Sequence, residues 1–146
     1  MRTSEAGLDL IKQFEGFSPV AYYCPGGRLT IGYGDTLDVI EGQTITEEDA
    51  DARLRARVIE FENCVERYVA EHLSQNEFDA LVSLAYNIGT ANFAKSSVVR
   101  FLNAGARRKA GDSFLRWNKI RKNGKLEESV GLTRRRKAER ELFLTT

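Results

Sequence analysis

The sequence predicts an α+β protein, mainly α, with one small sheet close to its N-terminal end. Three observations carry this. Residues 20–36 concentrate β-formers, namely Tyr22, Tyr23, Leu29, Thr30, Ile31 and Tyr33, around the turn-forming run Pro25-Gly26-Gly27. From Thr46 onward the apolar residues change to helical spacing. The remainder is a series of helical segments punctuated by glycine, with no internal repeat and no low-complexity tract. A chain of 146 residues, 42% hydrophobic and 29% charged, fits one domain, or one domain of two lobes sharing a connecting element. Its composition is unlike that of a disordered chain.

Taken in order, residues 4–14 read as a short helix, with Thr3 or Ser4 as cap and Leu8, Ile11 and Phe14 at helical spacing. Glu15 falls at its end, followed by Gly16, and Pro19 prevents continuation. The hairpin over 20–36 contains Gly32 and Gly34, consistent with a bulge or the close approach of a ligand. Thr46 with Asp49 resembles a capping box opening a helix of roughly 25 residues, about 46–71. Its stripe is Ala50, Leu54, Val58, Phe61, Val65 and Tyr68. That is about twice the mean helix length, long enough to connect two lobes. Ser74 and Glu77 form a cleaner capping box before Phe78, Leu81, Leu84, Ala85 and Ile88, with Gly89 as the stop. Further helices are expected over 96–104, ended by Gly105, and over 107–117. Residues 118–131 read as a polar, basic loop, and a final helix covers about Thr133 to Phe143.

No run approaches the roughly 20 apolar residues needed to cross a bilayer. Asp9, Lys12 and Gln13 interrupt the first apolar residues, so no secretory signal is expected. Cys24 and Cys64 lie far apart, and His72 is the single histidine, which argues against a zinc site; two reduced thiols are expected, with no metal and no cofactor. The net charge of +1 conceals an asymmetry: residues 106–146 hold 13 Lys or Arg against 5 Asp or Glu, while the rest is acidic. Such polarity can steer a protein toward an anionic polymer, and both nucleic acid and a phosphate-rich cell envelope qualify.

The segment from Glu15 to Asp35 is chemically the most unusual. A carboxylate at a helix end faces a hairpin rich in tyrosine, glycine and threonine. The carbonyl end of a helix is partly negative and favours a protonated carboxyl, the form a general acid requires. The plain alternative is a solvated surface glutamate.

The run Phe14-Glu15-Gly16-Phe17, then Ala21-Tyr22-Tyr23-Cys24-Pro25-Gly26-Gly27, then Leu29-Thr30-Ile31-Gly32-Tyr33-Gly34 resembles the active-site region of phage-type lysozymes, glycoside hydrolase family 24. Three further blocks match in family order: Leu73 to Ser83 with Ala85-Tyr86-Asn87-Ile88-Gly89, Phe114-Leu115-Arg116-Trp117-Asn118, and Gly131 to Glu139. The resemblance implies a lysozyme-like two-lobed fold as a single domain. Its small lobe covers about 13–45, its connecting helix about 46–71, and its helical lobe about 72–146 together with the N-terminal helix. It also implies hydrolysis of the β-1,4 bond between N-acetylmuramic acid and N-acetylglucosamine in bacterial peptidoglycan.

By the same resemblance Glu15, Cys24 and Thr30 occupy the catalytic positions, Cys24 standing where the family usually has Asp. Cys24 could attack the anomeric carbon, giving retention, or act as a weak base or water holder beside Thr30, giving inversion; an impaired site that only binds is the third reading. Arg134 or Arg135 is implied as the partner of Glu15. Candidate substrate-binding residues are Tyr33, Asn87, Asp35 and Arg135. Tyr22 and Tyr23 could stack on sugar rings, although strand alternation turns some of the three tyrosines to the core. Thr90 could touch glycan, and Trp117 reads as a core residue more than as a platform. Asp35 stands where many relatives have His; it either supplies the missing carboxylate or holds structure. A lytic transglycosylase and a nucleic-acid-binding module using the C-terminal arginines are the rival functions. The resemblance implies a monomer acting on peptidoglycan without membrane insertion, held in the host cytoplasm until a holin gives it access to the periplasm and wall.

Overall fold

A computed structural model of the chain describes residues 1–145. Helix α1 covers Glu5–Glu15, capped by the Ser4 hydroxyl, which accepts from the Gly7 amide at 3.2 Å. It ends because Gly16, at φ +72°, turns out of the helix while its N–H still reaches the Lys12 carbonyl at 2.9 Å. One carboxylate fixes this helix in space. Buried Asp79 accepts from the Ser4 amide at 3.0 Å, from the Ser4 hydroxyl and from Gln75 Nε2 at 2.9 Å. Gly7 allows the approach, since a Cβ there would come within 2.7 Å of Asp79 Cγ.

Strands β1 (Ser18–Tyr23) and β2 (Leu29–Gly32) form an antiparallel pair, Tyr22 opposite Thr30 and Tyr23 opposite Leu29, with an irregularity between Ser18 and Tyr22. The turn between them closes through Gly27 N–H to the Cys24 carbonyl, 2.8 Å, and Cys24 N–H to the Arg28 carbonyl, 2.9 Å. Residues 43–45 run along the other edge of β1, Ala21 donating to Gln43 and Ile45 to Pro19. The expected hairpin therefore ends early. Beyond Gly32 the chain folds into a tight loop in which Ile31 and Asp35 exchange both backbone hydrogen bonds.

Helix α2 (Glu47–Tyr68) has 22 residues, slightly shorter than expected. Thr46 caps it through the Asp49 amide, 3.1 Å, without the reciprocal half of a capping box among the described residues. Its stripe from Ala50 to Val65 is buried, whereas Tyr68 emerges at the last turn. Helix α3 (Gln75–Ile88) opens with the Ser74–Glu77 capping box and closes at Gly89, φ +89°. Every residue from Glu77 to Ala85 is buried, as suits a helix packed on α1 and α2.

Three short helices follow, α4 (Thr90–Ala94), α5 (Ser97–Asn103) and α6 (Arg107–Ser113), then one 3₁₀ turn, Phe114–Arg116. The first was not expected from the sequence. The expected helix over 107–117 stops at Ser113, where the tighter turn drives Phe114 fully into the core.

Residues 118–131 are not a loop. Strands β3 (Lys119–Lys122) and β4 (Lys125–Glu128) form an exposed hairpin joined by Asn123-Gly124, both at positive φ. That pair is the dipeptide preferred in two-residue hairpin turns. Helix α7 (Val130–Leu144) starts three residues before the expected Thr133, because Ser129 caps it through the Leu132 amide at 3.2 Å. It packs on α3 and buries Arg135, Arg136, Glu139 and Phe143. Phe78, Leu81, Leu84, Phe93, Leu102 and Phe114 form the centre of the helical core, while Ile31 and Tyr33 are buried over the first turns of α2. No helix among the described residues is long and apolar enough to cross a membrane.

Candidate active site

The end of α1 carries Glu15 to the floor of an open cleft of about 380 Å³. Arg135, from the first turns of α7, donates through Nη1 to Glu15 Oε2 at 2.5 Å. Of the two arginines eligible in the sequence, Arg134 is exposed and Arg135 is the partner. Burial alone disfavours the Arg135 charge, but Glu15 and Glu139 outweigh it and hold the guanidinium more firmly charged than usual. Glu139, fully buried, accepts from Arg135 Nε at 3.1 Å, from Arg136 Nη2 at 3.3 Å and from the Ser83 hydroxyl at 2.5 Å. Arg136 in turn donates to Asn87 Oδ1 at 2.8 Å. Burial lowers the Arg136 pKa to about 10 despite the support of Glu139, with Arg135 adding to the lowering. Glu15 and Asn87 are thus the two ends of one chain of alternating charges.

Gly34 closes against Glu15. At φ +74° it adopts a conformation that side chains rarely take, and a Cβ there would collide with Glu15 Oε1 and lie 2.9 Å from Cδ. The close approach anticipated for this glycine is therefore to a protein carboxyl. Glu15 also borders a second depression of about 290 Å³, formed with Gly16, Phe17, Ser18 and Tyr22. Open space thus adjoins this carboxyl within two separate depressions. Past Asn87 and Ile88 a further depression of about 430 Å³ continues over Trp117, Lys119 and Leu126.

Cys24, half-buried, begins the β1–β2 turn. Burial pushes its thiol up, but the backbone N–H groups of Arg28 and Gly26, then the Thr30 hydroxyl, then its own amide, together bring it below the ordinary thiol value. Thr30 is buried, and its hydroxyl lies 3.0 Å from the Arg28 carbonyl as donor. One hydroxyl proton serves either that carbonyl or the Cys24 sulfur, so ionising the thiol would draw it to sulfur. Tyr22 is held above the usual phenol range by burial, then by the charges of Glu15 and Cys24, and it shares the second depression with Glu15.

The remaining candidates separate. Asn87 lines the cleft, its Oδ1 fixed by Arg136. Thr90 lines it as well. Tyr33 does not: it is buried, its hydroxyl donates to Glu47 Oε1 at 3.1 Å, and its ring packs 5.6 Å from Phe17. Asp35 is also buried and does not line the cleft; its oxygens are engaged by Arg53 Nε at 2.6 Å and Arg57 Nε at 3.3 Å. Arg135 reaches Glu15 from beneath and is itself almost inaccessible. Trp117 is half-buried against the core and borders the depression beyond Asn87.

Sequence reasoning missed Arg28, Arg57, Glu60 and Tyr86, which line the cleft. Tyr86 donates to the Tyr33 carbonyl at 2.8 Å, tying α3 to the loop that follows β2. Burial, then the charges of Glu15 and Asp35, push its phenol far above the usual range. Only its place in the second matching block gave any signal. Among the described residues no group of three or more His, Cys, Asp or Glu could hold a metal ion.

The fold and the cleft are those of a glycoside hydrolase of the lysozyme type. The chain belongs to the phage lysozyme family, whose pattern it matches over residues 12–139. It is 41% identical to the endolysin of Acyrthosiphon pisum secondary endosymbiont phage 1, over 98% of both chains, and 37% identical to that of Salmonella phage P22, over 99% of both. It is 45% identical to the endolysin of Bacillus phage B103 but spans 55% of that longer protein. Among solved structures, the muramidase domain of SpmX from Asticaccaulis excentricus superimposes with a TM-score of 0.94 at 42% identity, over 99% of both chains. An endolysin from Escherichia coli O157:H7 phage FAHEc1 superimposes at 0.91 and 40% identity, covering 99% of this chain and 94% of that one.

Proposed function

We propose that this chain hydrolyses the β-1,4 bond between N-acetylmuramic acid and N-acetylglucosamine of bacterial peptidoglycan, with Glu15 as general acid. The observation that carries this is the setting of the Glu15 carboxyl. Oε2 is held by Arg135, Oε1 lies on the Gly34 side, and open space adjoins the carboxyl within two depressions. A glycan strand lying along the cleft would bring its bridging oxygen beside that carboxyl. Protonation of the oxygen turns a poor leaving group into an alcohol.

Cys24, with Thr30 behind it, takes the position of the second carboxylate. Its lowered thiol value supports reaction as the thiolate. As a base it receives a proton from water while the water oxygen bonds to the anomeric carbon from the far face, giving inversion. The same thiolate character supports a second route. Sulfur bonds to the anomeric carbon as the glycosidic bond breaks, the departing oxygen takes the proton of Glu15, and water later cleaves the carbon–sulfur bond with overall retention. Asn87 contributes its amide to substrate from the helical side, and Arg135 acts through Glu15.

We further infer that the protein works as a monomer, needs no cofactor, and binds neither nucleic acid nor the membrane interior. It waits in the host cytoplasm until a holin-type pore admits it to the periplasm and wall.

The test is the configuration of the sugar first released from peptidoglycan strands, followed by NMR for wild type, Glu15→Gln, Cys24→Asp and Cys24→Ser. Glu15→Gln should retain the fold and lose turnover by at least about a hundredfold. Cys24→Asp should invert. Wild-type activity in Glu15→Gln would remove that residue from the chemistry, and 1,6-anhydro ends among the products would replace hydrolysis by transglycosylation.

A further inference from the structure

Asp35 poses a question that the hydrolytic reading leaves unanswered. A carboxylate buried to this extent is expensive to desolvate, and buried ion pairs are poor stabilising devices in themselves. Its Oδ2 takes Arg53 Nε at 2.6 Å, and its Oδ1 takes the Leu37 amide at 3.0 Å with Arg57 Nε 3.3 Å away. Arg53 is tied to this loop a second time, its Nη2 donating to the Leu37 carbonyl at 2.6 Å. Arg57 is different. Its guanidinium carbon lies 6.0 Å from the centre of the Phe61 ring, and the residue lines the cleft with Glu15, Asn87 and Thr90.

The terminal nitrogens of Arg57 make no hydrogen bond among the described residues; Nη1 lies 3.7 Å from the half-exposed Glu60. The hairpin contributes Arg28 to the same cleft, exposed and with no ion pair among the described residues. Of the acids in the cleft, Glu15 is already engaged by Arg135. The wall between the small sheet and α2 therefore presents two guanidinium groups, one held in place from behind, with donors to spare.

We propose that Arg57, positioned by Asp35 and assisted by Arg28, forms an anion subsite that receives a carboxylate carried by the muramoyl residue of the substrate. This rests on the muramidase reading. The hydroxyl and N-acetyl groups of the glycan are neutral, so the charge that such a pair can recognise is a carboxylate. It is either the lactyl carboxylate of a bare muramoyl unit or a carboxylate of the attached stem peptide. A planar guanidinium whose Nε is ion-paired with Asp35 at 3.3 Å leaves its two terminal nitrogens as a fork that matches a carboxylate in two hydrogen bonds.

Binding to Glu15→Gln, which does not turn over, tests this by calorimetry. The ligands are a murein tetrasaccharide with free lactyl carboxylates, the same tetrasaccharide bearing stem peptides, and the carboxyl methyl ester of each. One acid should bind about tenfold more tightly than its ester, in line with a charge-assisted hydrogen bond. Which acid does so identifies the source of the carboxylate. In Glu15→Gln/Arg57→Gln that preference should vanish while ester binding stays unchanged. Glu15→Gln/Asp35→Asn should shrink the same preference; a purely structural Asp35 would lower the melting temperature and leave it intact. A preference untouched by Arg57→Gln overturns the proposal. Failure of all four ligands to bind removes the muramidase reading and this inference with it.

Discussion

A thiol and a carboxylate lose their protons in different pH ranges, about 8.5 against about 3.9, so Cys24 in an aspartate's position should leave its mark on the pH dependence of turnover. Burial raises the Cys24 value, and the amides of Arg28 and Gly26 with the Thr30 hydroxyl bring it below the ordinary thiol range. The reactive form being the thiolate, kcat/KM should rise with pH through an ionisation lying below that of an ordinary thiol. In Cys24→Asp the base is already ionised in mild acid, and the rising limb should move several pH units downward. In Cys24→Ser that limb should disappear together with most of the activity. Thr30→Val removes one donor to the thiolate, so it should move the wild-type limb upward and leave that of Cys24→Asp nearly in place. A pH–rate profile for the four proteins decides the matter; a limb that stays put in Cys24→Asp belongs to another group.

At the scale of the element, the N-terminus of α3 shows what a short local motif can determine. Ser74 N–H donates to Glu77 Oε1 at 2.8 Å, Glu77 N–H donates to the Ser74 hydroxyl at 3.1 Å, and Arg107 Nε donates to Glu77 Oε2 at 2.7 Å. Burial works against the Glu77 charge, but the Ser74 amide and Arg107 outweigh it, leaving the carboxyl below its ordinary value. A carboxyl depressed in the folded state contributes fully above its unfolded pKa of about 4.3, and the contribution is lost as pH falls through the folded value. Glu77→Gln should therefore lower the unfolding free energy by about 1–2 kcal/mol at pH 7. The gap from wild type should narrow between pH 7 and pH 3, as urea titrations at the two pH values would show; a constant gap would mean that the ionised form adds nothing. This motif was legible because all its parts lie within four residues. Asn123-Gly124 was equally local, yet the charged residues of Lys119–Lys122 and Lys125–Glu128 obscured the hairpin, since neither strand has a buried face to impose an alternating pattern.

Across the whole molecule, what could be read depended on distance along the chain. Glu15, Cys24 and Thr30 fall within one short stretch, whereas the bond from Arg135 to Glu15 spans 120 residues and Arg57 reaches the cleft only through the packing of α2. The charge asymmetry was legible as a sum but not as a field. Folding pairs Arg107 with Glu77, Arg135 and Arg136 with Glu15 and Glu139, and Arg140 with Asp112. The basic residues left facing solvent include Arg134, Lys137 and those of the β3–β4 hairpin, where Lys122 stands opposite Lys125 at the tip. A tip of like charges gains nothing from that pairing, but it projects positive potential toward an anionic wall. Lys122→Glu/Lys125→Glu should therefore clear cell walls several-fold more slowly at 0.01 M ionic strength, where the screening length is about 30 Å, and match wild type at 1 M, where it is about 3 Å. Turnover of a short soluble fragment should be unchanged at either salt, because the field acts on encounter and not on the bond being broken. A deficit that persisted at 1 M would mean that the tip touches the wall directly, placing the hairpin within the substrate-binding surface instead of ahead of it.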